Sequence, residues 1–202
     1  MKALVTGFEP FGGDPINASL EAVRRLPAQA GVVEIVTSAL PTSYARSLPA
    51  LEAAIARAQP DIVLCVGQAG ARAALCVERV AVNVQDAEVA DNDGARPVDT
   101  PVVAGGPTAY LATLPVRAIV AALRAEELPA QLSMSAGTFV CNHVFFGLMH
   151  FAATRGNAWR GGFLHVPCLP QQAADNTPSM ALDDIVKGIG IVLEAAASGT
   201  VA

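Results

Sequence analysis

One cysteine in the sequence is placed where a thiol could act as a nucleophile. Cys141 follows the turn at Gly137-Thr138 and opens an apolar segment that is typical of a buried helix. In a helix's first turn, a thiol faces unpaired backbone N–H groups and the positive end of the helix dipole, and both favour thiolate over thiol. Free cysteines are nevertheless among the most buried residues, so position alone favours a core side chain.

A nucleophilic cysteine needs a base to take up its proton, and the chain offers three histidines. His143 follows Cys141 so closely that the two side chains point to different faces of one helix. His150 lies deeper in the same helix. His165 ends a predicted strand, at the sheet edge where ligand crevices form, and is the best candidate for the base. A histidine alone in a strand is more often only hydrogen-bonded.

The base in turn needs an orienting acid, for which Glu78 is the candidate with the least obvious other purpose. It interrupts an apolar, β-rich run, where a charge either points to solvent or is buried with a partner. Taken alone, the solvated position is favoured, because charges are seldom buried unpaired. Spacing does not decide between Glu78 and the acids of a later polar loop, where carboxylates are ordinarily solvated: Asp86, Asp91, Asp93 and Asp99.

The sequence predicts neither a metal nor an organic cofactor. It has no HExxH motif, and its four cysteines show none of the Cys or His spacings that hold zinc. The glycine-rich stretches near Gly7 and Gly67 lack the Lys-Ser/Thr pair of a phosphate loop. The cysteines are expected to be free thiols, as in a reducing compartment.

Composition is consistent with one domain over residues 1–202, since 52% of the 202 residues are hydrophobic and 15% are charged. The formal charge is −5, and the few lysines and arginines are scattered, so no surface for nucleic acid or anionic membrane is expected. The first apolar run is too short for a signal peptide, and no later run is long enough to span a membrane. A soluble, cytoplasmic protein is predicted.

Strands and helices alternate along the chain. Apolar and β-branched runs predict strands over residues 2–6, 32–40, 62–67, 75–84, 131–136 and 161–167. Helical spacing predicts helices over residues 20–26, 44–58, 114–127, 141–154 and 180–197. This order indicates an α/β fold: a three-layer sandwich with a twisted, mostly parallel central sheet and helices on both faces.

Three loops stand out. The loop that follows the first strand carries two aromatics, Phe8 and Phe11, which either pack on the core or line a pocket. Residues 68–72 follow the central strand, so both loops are expected near one crevice at the strand ends. Residues 85–107 form a long polar loop, of a length typical of a lid, a binding loop or an oligomer contact.

Four blocks of the sequence resemble type I pyroglutamyl peptidases, also called pyrrolidone-carboxylate peptidases. They are TGFEPFGG from residue 6 with Asn17 just beyond, ERVAVN from residue 78 with Asp91-Asn92, AGTFVCN from residue 136, and GFLHVPCLP from residue 162. The blocks stand in the family's order and at its spacing across nearly the whole chain. This is far more specific than any single motif.

The resemblance implies a cytoplasmic cysteine peptidase that removes an N-terminal pyroglutamyl residue from peptides without a cofactor. Cys141 matches the family's nucleophile, His165 its general base and Glu78 the third member of the triad. Phe8 and Phe11 match the aromatics that hold the pyrrolidone ring between them. Matches to the remaining pocket positions are Gln68, Phe139, Val140, Thr42 and Val89. The family is commonly tetrameric, which implies a homo-oligomer.

The chain departs from the family pattern at Glu88, where an arginine is usual. That arginine is a candidate for stabilising the oxyanion or balancing charge, and a glutamate cannot do so. Either backbone N–H groups near Cys141 suffice for the oxyanion or the activity is altered, and the intact triad favours the first. Two rival functions are a non-catalytic small-ligand binder and a cysteine amidase for another cyclic or blocked acyl group.

Overall fold

The computed structural model describes residues 1–156, 159–174 and 177–199. The predicted single domain over 1–202 therefore includes seven residues that lie outside the described ranges: 157–158, 175–176 and 200–202. The described strands are β1 (Lys2–Phe8), β2 (Gln29–Ala30), β3 (Val33–Leu40), β4 (Ile62–Gln68), β5 (Leu75–Glu78), β6 (Val80–Val82), β7 (Ala109–Leu111), β8 (Ala130–Ser133) and β9 (Arg160–Val166). The helices are α1 (Ala18–Arg24), α2 (Tyr44–Ala58), α3 (Val116–Ala125), α4 (Val140–Thr154) and α5 (Leu182–Ser198).

Within the described ranges, seven strands form one sheet in the order β2-β3-β1-β4-β9-β5-β8. The central strands β1, β4 and β9 are each buried at all but one terminal residue, as expected for strands that are covered on both faces. They pair in parallel with one another and with β3, and β8 is parallel to β5. β5 runs antiparallel to β9, and the short β2 is antiparallel to β3. The prediction of a mostly parallel sheet is confirmed.

Helices cover both faces of this sheet, which confirms the predicted α/β architecture. One core cluster joins α1, α3 and α5 to alternate strand residues such as Val5 and Leu164. The other core cluster joins α2 and α4 to the intervening residues of the same strands, such as Leu4 and Phe163. Successive strand side chains point to opposite faces, so His165, two residues after Phe163, lies on the face of α2 and α4. No helix in the described ranges combines the length and apolar character needed to cross a membrane.

Sequence and structure differ after Glu78. The predicted strand over residues 75–84 is two strands, because the chain leaves the main sheet at Arg79 and β6 pairs antiparallel with β7. At the break, the backbone N–H of Arg79 donates to Ser133 and its carbonyl accepts from Ala112. β7 was not predicted, since its three residues are too few to show a period.

The long loop over residues 85–107 is held by hydrogen bonds rather than by regular structure. The Asp91 carboxylate accepts from the N–H groups of Asp93 and Ala95 at 2.9 and 2.8 Å. Its second oxygen accepts from the N–H of Tyr44 at 2.8 Å, at the start of α2. The expectation that the carboxylates of this loop are solvated is therefore wrong for Asp91, which is buried because backbone donors satisfy it.

Candidate active site

Cys141 stands in the first turn of α4, as the sequence predicts. The preceding turn contains Gly137 with φ of 77°, a left-handed conformation that glycine adopts without steric cost. α4 begins after Phe139 without a side-chain cap, and its first backbone bond runs from His143 N–H to the Phe139 carbonyl at 3.1 Å. The N–H groups at the helix start are thus left for a ligand.

Glu78 and His165 meet because β5 and β9 are antiparallel. Cys76 pairs with His165 in the register, so Glu78, two residues on, is the diagonal neighbour of His165 on the same sheet face. Glu78 Oε1 lies 2.8 Å from Nδ1 of His165. Both side chains are buried, with exposures of 0% for Glu78 and 4% for His165. The expectation that Glu78 is solvated is wrong, since its charge is buried with partners.

Gly67 brings the cysteine and the histidine together. It pairs with His165 across the parallel strands β4 and β9, which places the two residues about 5 Å apart. A Cβ atom at Gly67 would lie 2.8 Å from the Cys141 sulfur, well inside normal contact distance. The sulfur therefore packs over the bare backbone of Gly67 beside His165, and any larger residue there would displace it.

Cys141 and His165 line one cavity of about 130 Å³, which is the room of roughly four water molecules. Six of the predicted pocket residues line it as well: Phe8, Phe11, Gln68, Phe139, Val140 and Thr42. The rings of Phe11 and Phe139 are 5.9 Å apart. Asn17 and Ala136 complete the lining; both stand in the family-like blocks, but the sequence indicated no role for them. The walls are largely apolar, with polar groups only at a few points.

The loop with the two phenylalanines is fixed through its own backbone. The Glu9 carbonyl accepts from the Thr42 hydroxyl at 2.8 Å and from the Asn17 amide at 3.2 Å. The Pro10 carbonyl accepts from the Asn92 amide at 2.9 Å. Thr42 and Asn17 therefore shape the pocket by holding the chain between Phe8 and Phe11.

Gln68 presents a fixed amide to the cavity. Its oxygen accepts from the N–H of Ala18 at 2.6 Å, at the start of α1, and from the Gln172 amide at 3.1 Å. Its nitrogen donates to the Cys168 sulfur at 3.3 Å. Gln172 carries no signal in the sequence, because it is more than a hundred residues away in the chain from the amide that it contacts.

Comparison with known proteins gives the family of the chain. The family model described as pyroglutamyl peptidase matches residues 1–199. The chain belongs to the pyroglutamyl peptidase family. A pyrrolidone-carboxylate peptidase 1 of Ralstonia nicotianae is 54% identical over 195 residues, which cover 95% of this chain and 90% of the relative. One from Brevibacillus brevis is 48% identical over 194 residues, with the same coverage of 95% and 90%.

Solved pyroglutamyl peptidases share the fold. Pyroglutamyl peptidase I of Bacillus amyloliquefaciens superposes with a TM-score of 0.95 at 45% identity, covering 98% of this chain and 97% of that one. The pyrrolidone carboxyl peptidase of Thermococcus litoralis gives a TM-score of 0.94 at 39% identity, covering 97% and 93%. The family resemblance inferred from the four sequence blocks is confirmed.

The electrostatics of this pyroglutamyl peptidase site differ from the expectation for Cys141. Burial, and then the negative charge of Glu78, raises the pKa of the Cys141 thiol to about 12. Burial also lowers the pKa of His165, and the bond from Glu78 only opposes this. The unliganded site therefore holds a neutral thiol and a neutral imidazole, because desolvation outweighs the helix dipole that favours a thiolate.

One residue lies elsewhere than the pyroglutamyl peptidase resemblance implies. Val89 does not line the pocket with Cys141; it lies with Glu88 and Arg96 beside a neighbouring cavity of about 540 Å³, on the other side of Phe139. The reason is a pair of hydrogen bonds, of 3.2 and 2.7 Å, that fasten the backbone of Asp86 to Thr138 and carry the loop outside the pocket. Val89 is 56% exposed there.

Arg72 is the charged neighbour that sequence reasoning missed. It was placed only in a loop near the crevice, yet its guanidinium donates to Oε1 of Glu78. The available signal was the glutamate itself, since a carboxylate inside an apolar strand requires a partner.

Other regions offer less chemistry. A cavity of about 590 Å³ at the far end of β4 is lined by groups such as Glu52, Asp61 and Trp159, and the described part of its lining contains neither cysteine nor histidine. Among the described residues, no three side chains of His, Cys, Asp or Glu gather in a way that could hold a metal ion.

Proposed function

We propose that this protein is a cysteine peptidase that hydrolyses the bond after an N-terminal pyroglutamyl residue. Cys141 is the nucleophile, His165 the general base and Glu78 the group that orients the base. The observation that carries the proposal is the buried 2.8 Å contact between Glu78 and Nδ1 of His165. That contact fixes the tautomer and leaves Nε2 for the thiol in the same cavity.

The reaction begins when His165 takes the thiol proton as the sulfur attacks the pyroglutamyl carbonyl. Because both groups are neutral at rest, proton transfer accompanies the attack. The negative charge on the carbonyl oxygen is received by the free N–H groups at the start of α4. The amine then leaves with the proton from His165, and a thioester remains. Water, activated by His165, breaks the thioester and releases pyroglutamate.

The pocket supports a neutral lactam as the bound group. Phe8, Phe11 and Phe139 offer apolar faces to a flat, uncharged ring. A free N-terminal ammonium would lose its hydration in this cavity, and none of the described residues that line the cavity is a carboxylate that could compensate. Pyroglutamyl peptides are therefore preferred to prolyl or glutaminyl peptides.

The test is the release of fluorophore from a pyroglutamyl-coumarin amide. Cys141→Ser and His165→Ala are expected to lose at least about 1,000-fold in kcat/KM, while Cys65→Ala, at a buried thiol outside the cavity lining, stays within a few-fold of wild type. Circular dichroism melting checks that each variant is folded. Full activity of Cys141→Ser would overturn the nucleophile assignment.

The same assay separates the two rival functions. A non-catalytic binder would release no fluorophore while still binding the substrate, which calorimetry would detect. An amidase for other blocked acyl groups would be revealed by competition among pyroglutamyl, prolyl and glutaminyl substrates. Equal rates on prolyl and pyroglutamyl substrates would contradict the pocket argument.

The single-domain organisation, the tetramer and the cytoplasmic location belong to the same proposal and rest on composition and on the family resemblance. One cooperative unfolding transition is expected for a single domain. Light scattering after size-exclusion chromatography should give four chain masses for the tetramer, and cell fractionation should place the protein with the cytoplasmic fraction. A monomer mass at assay concentration would contradict the tetramer.

A further inference from the structure

The Glu78 carboxylate is bonded unevenly. Oε1 accepts from Nδ1 of His165 at 2.8 Å and from a guanidinium nitrogen of Arg72. Oε2 is buried and, among the described residues, has no hydrogen-bond partner. A carboxylate that is fully removed from water is normally satisfied at both oxygens. The two donors at Oε1 are therefore the contacts that compensate the buried carboxylate, and of the two only Arg72 carries a permanent charge.

Arg72 is itself held in one orientation. The nitrogen that binds Glu78 lies 3.3 Å from the Ser133 hydroxyl, and the second terminal nitrogen donates to the Ser135 carbonyl at 2.9 Å. Ser133 is the register partner of Glu78 on β8, so the guanidinium bridges the ends of two paired strands. Its side chain is 25% exposed, which places it at the rim with Glu78 inside. A planar group held at three points fixes the oxygen that it binds.

The contact between Arg72 and Glu78 affects the protonation of His165. Arg72 neutralises Glu78, so the imidazole sits beside an ion pair rather than beside a bare carboxylate. Consistent with this, Arg72 acts to lower the pKa of His165 while Glu78 acts to raise it. Without Arg72, the buried carboxylate would draw a proton onto the His165–Glu78 pair. A pair that already holds this proton cannot accept the one from Cys141.

We propose that Arg72 is a positioning residue of the reaction: it neutralises the Glu78 carboxylate and holds it aimed at Nδ1, so that His165 remains a neutral base. This assignment rests on the proposed function, because Arg72 has a role in the reaction only if His165 is the base. Arg72 acts through Glu78 and His165, and its guanidinium is not among the groups that line the cavity with Cys141.

The first test follows the rate against pH. Arg72→Met is expected to lower kcat about 100-fold at neutral pH, mostly because Glu78 is no longer held in line with Nδ1, and KM should stay within about threefold of wild type because the pocket walls are untouched. The acidic limb of kcat/KM should move to higher pH by about one unit, since loss of the cation favours protonation of the pair. Arg72→Lys restores the charge but not the planar pair of guanidinium donors. It should therefore bring the acidic limb back to its wild-type pH and restore only part of kcat.

Arg124→Met is the matched control. Arg124 donates to the Ala130 carbonyl at 2.9 Å, at the other end of the strand that Arg72 touches. The variant removes the same charge and one strand contact without approaching His165, so the acidic limb should stay in place. A shift of the same size in Arg124→Met, or an unchanged limb and kcat in Arg72→Met, would overturn the proposal.

A second test does not depend on turnover. Titration of the His165 ring by NMR in the Cys141→Ser protein should show its pKa rising by about one unit when Arg72→Met is added. In a Glu78→Gln background the added change should shrink to the direct repulsion between the guanidinium and the imidazolium, because the cation then has no carboxylate to neutralise. Additive shifts would contradict the inference. If wild type failed to cleave pyroglutamyl substrates, the proposed function would fall, while this titration would still decide the Arg72 assignment; Arg72→Lys serves if Arg72→Met does not fold.

Discussion

Two buried histidines of this protein have opposite surroundings. His165 is 4% exposed, and its Nδ1 lies 2.8 Å from a buried carboxylate. His143 is 6% exposed, and neither ring nitrogen makes a hydrogen bond of normal geometry within the described residues. Its ring packs edge-on against Tyr44 with centroids 5.3 Å apart. Burial lowers the pKa of His143 to about 4, and an interaction with the Tyr44 backbone only partly opposes this.

The difference shows what the proposed base has that an ordinary buried histidine lacks. Burial alone removes the charge and leaves an imidazole that packs like an apolar ring, as at His143. In the proposed mechanism, a fixed carboxylate selects one tautomer of His165 and stabilises the imidazolium that forms during the reaction. Desolvation is common to both sites, so the proposal assigns the functional distinction to the acid and its arginine.

The largest expected effect comes from making His165 resemble His143. Glu78→Gln removes the charge and lets the amide present either a donor or an acceptor to Nδ1. We expect kcat/KM on a pyroglutamyl substrate to fall about 1,000-fold, with the fold retained by circular dichroism. Glu88→Gln is the matched control, because it removes the same charge beside the neighbouring cavity and should cost less than threefold. A loss below tenfold for Glu78→Gln would break the comparison.

The pH dependence of wild type is the next effect in size. The pKa of His165 is lowered from 6.5, so the acidic limb of kcat/KM should lie below pH 6.5, and activity should fall tenfold per pH unit beneath it. Because Cys141 keeps its proton up to a pKa of about 12, the rate should then stay level. The plateau should extend to about pH 9.5, and melting curves at that pH are the check that the protein is still folded. A further rise in rate near the ordinary thiol pKa of about 8.5 would contradict the raised pKa of Cys141, because it would show that an unperturbed thiol loses its proton before the attack.

Much of the fold follows from the sequence, and the part that does not follow has a physical reason. Continuous apolar runs such as residues 62–67 identified the central strands, and the family-like blocks named Cys141, His165 and Glu78. The sequence placed His165 at a strand end, and the structure adds that it lies on the sheet face covered by α4. The burial of Glu78 did not follow, because it depends on Arg72 reaching across from a loop. The raised pKa of Cys141 did not follow either, since a sequence shows helix position but not desolvation.

The stability of the protein in acid should report on His143, which the activity assays do not test. The pKa of His143 is lowered from 6.5 to about 4, so between these pH values His143 is protonated in the unfolded chain and neutral in the folded protein. His143 therefore costs nothing above pH 6.5, and its cost grows as pH falls, towards roughly 3 kcal/mol near pH 4.

His143→Phe should remove that loss. Melting temperatures at pH 7 should be similar to wild type, and the decline between pH 6.5 and about pH 4.5 should be shallower. His150→Phe is the control, because His150 is partly exposed and its Nδ1 lies 2.9 Å from the Tyr110 hydroxyl. Parallel declines for wild type and His143→Phe would show that His143 is protonated in the folded protein.

The smallest effect is expected from reversing a charge outside the surroundings of His165. Glu88 lies with Arg96 beside the cavity on the far side of Phe139, while Glu78 touches the base itself. Glu88→Arg, which restores the residue type usual in the family, should therefore change kcat/KM less than threefold, because in the proposed mechanism the N–H groups of α4 bind the oxyanion. The measurement is the pyroglutamyl-coumarin assay at low and high salt, which separates a general charge effect from a specific one. A many-fold gain that persists in high salt would mean that an arginine reaches the reacting carbonyl and that the native Glu88 enzyme is compromised.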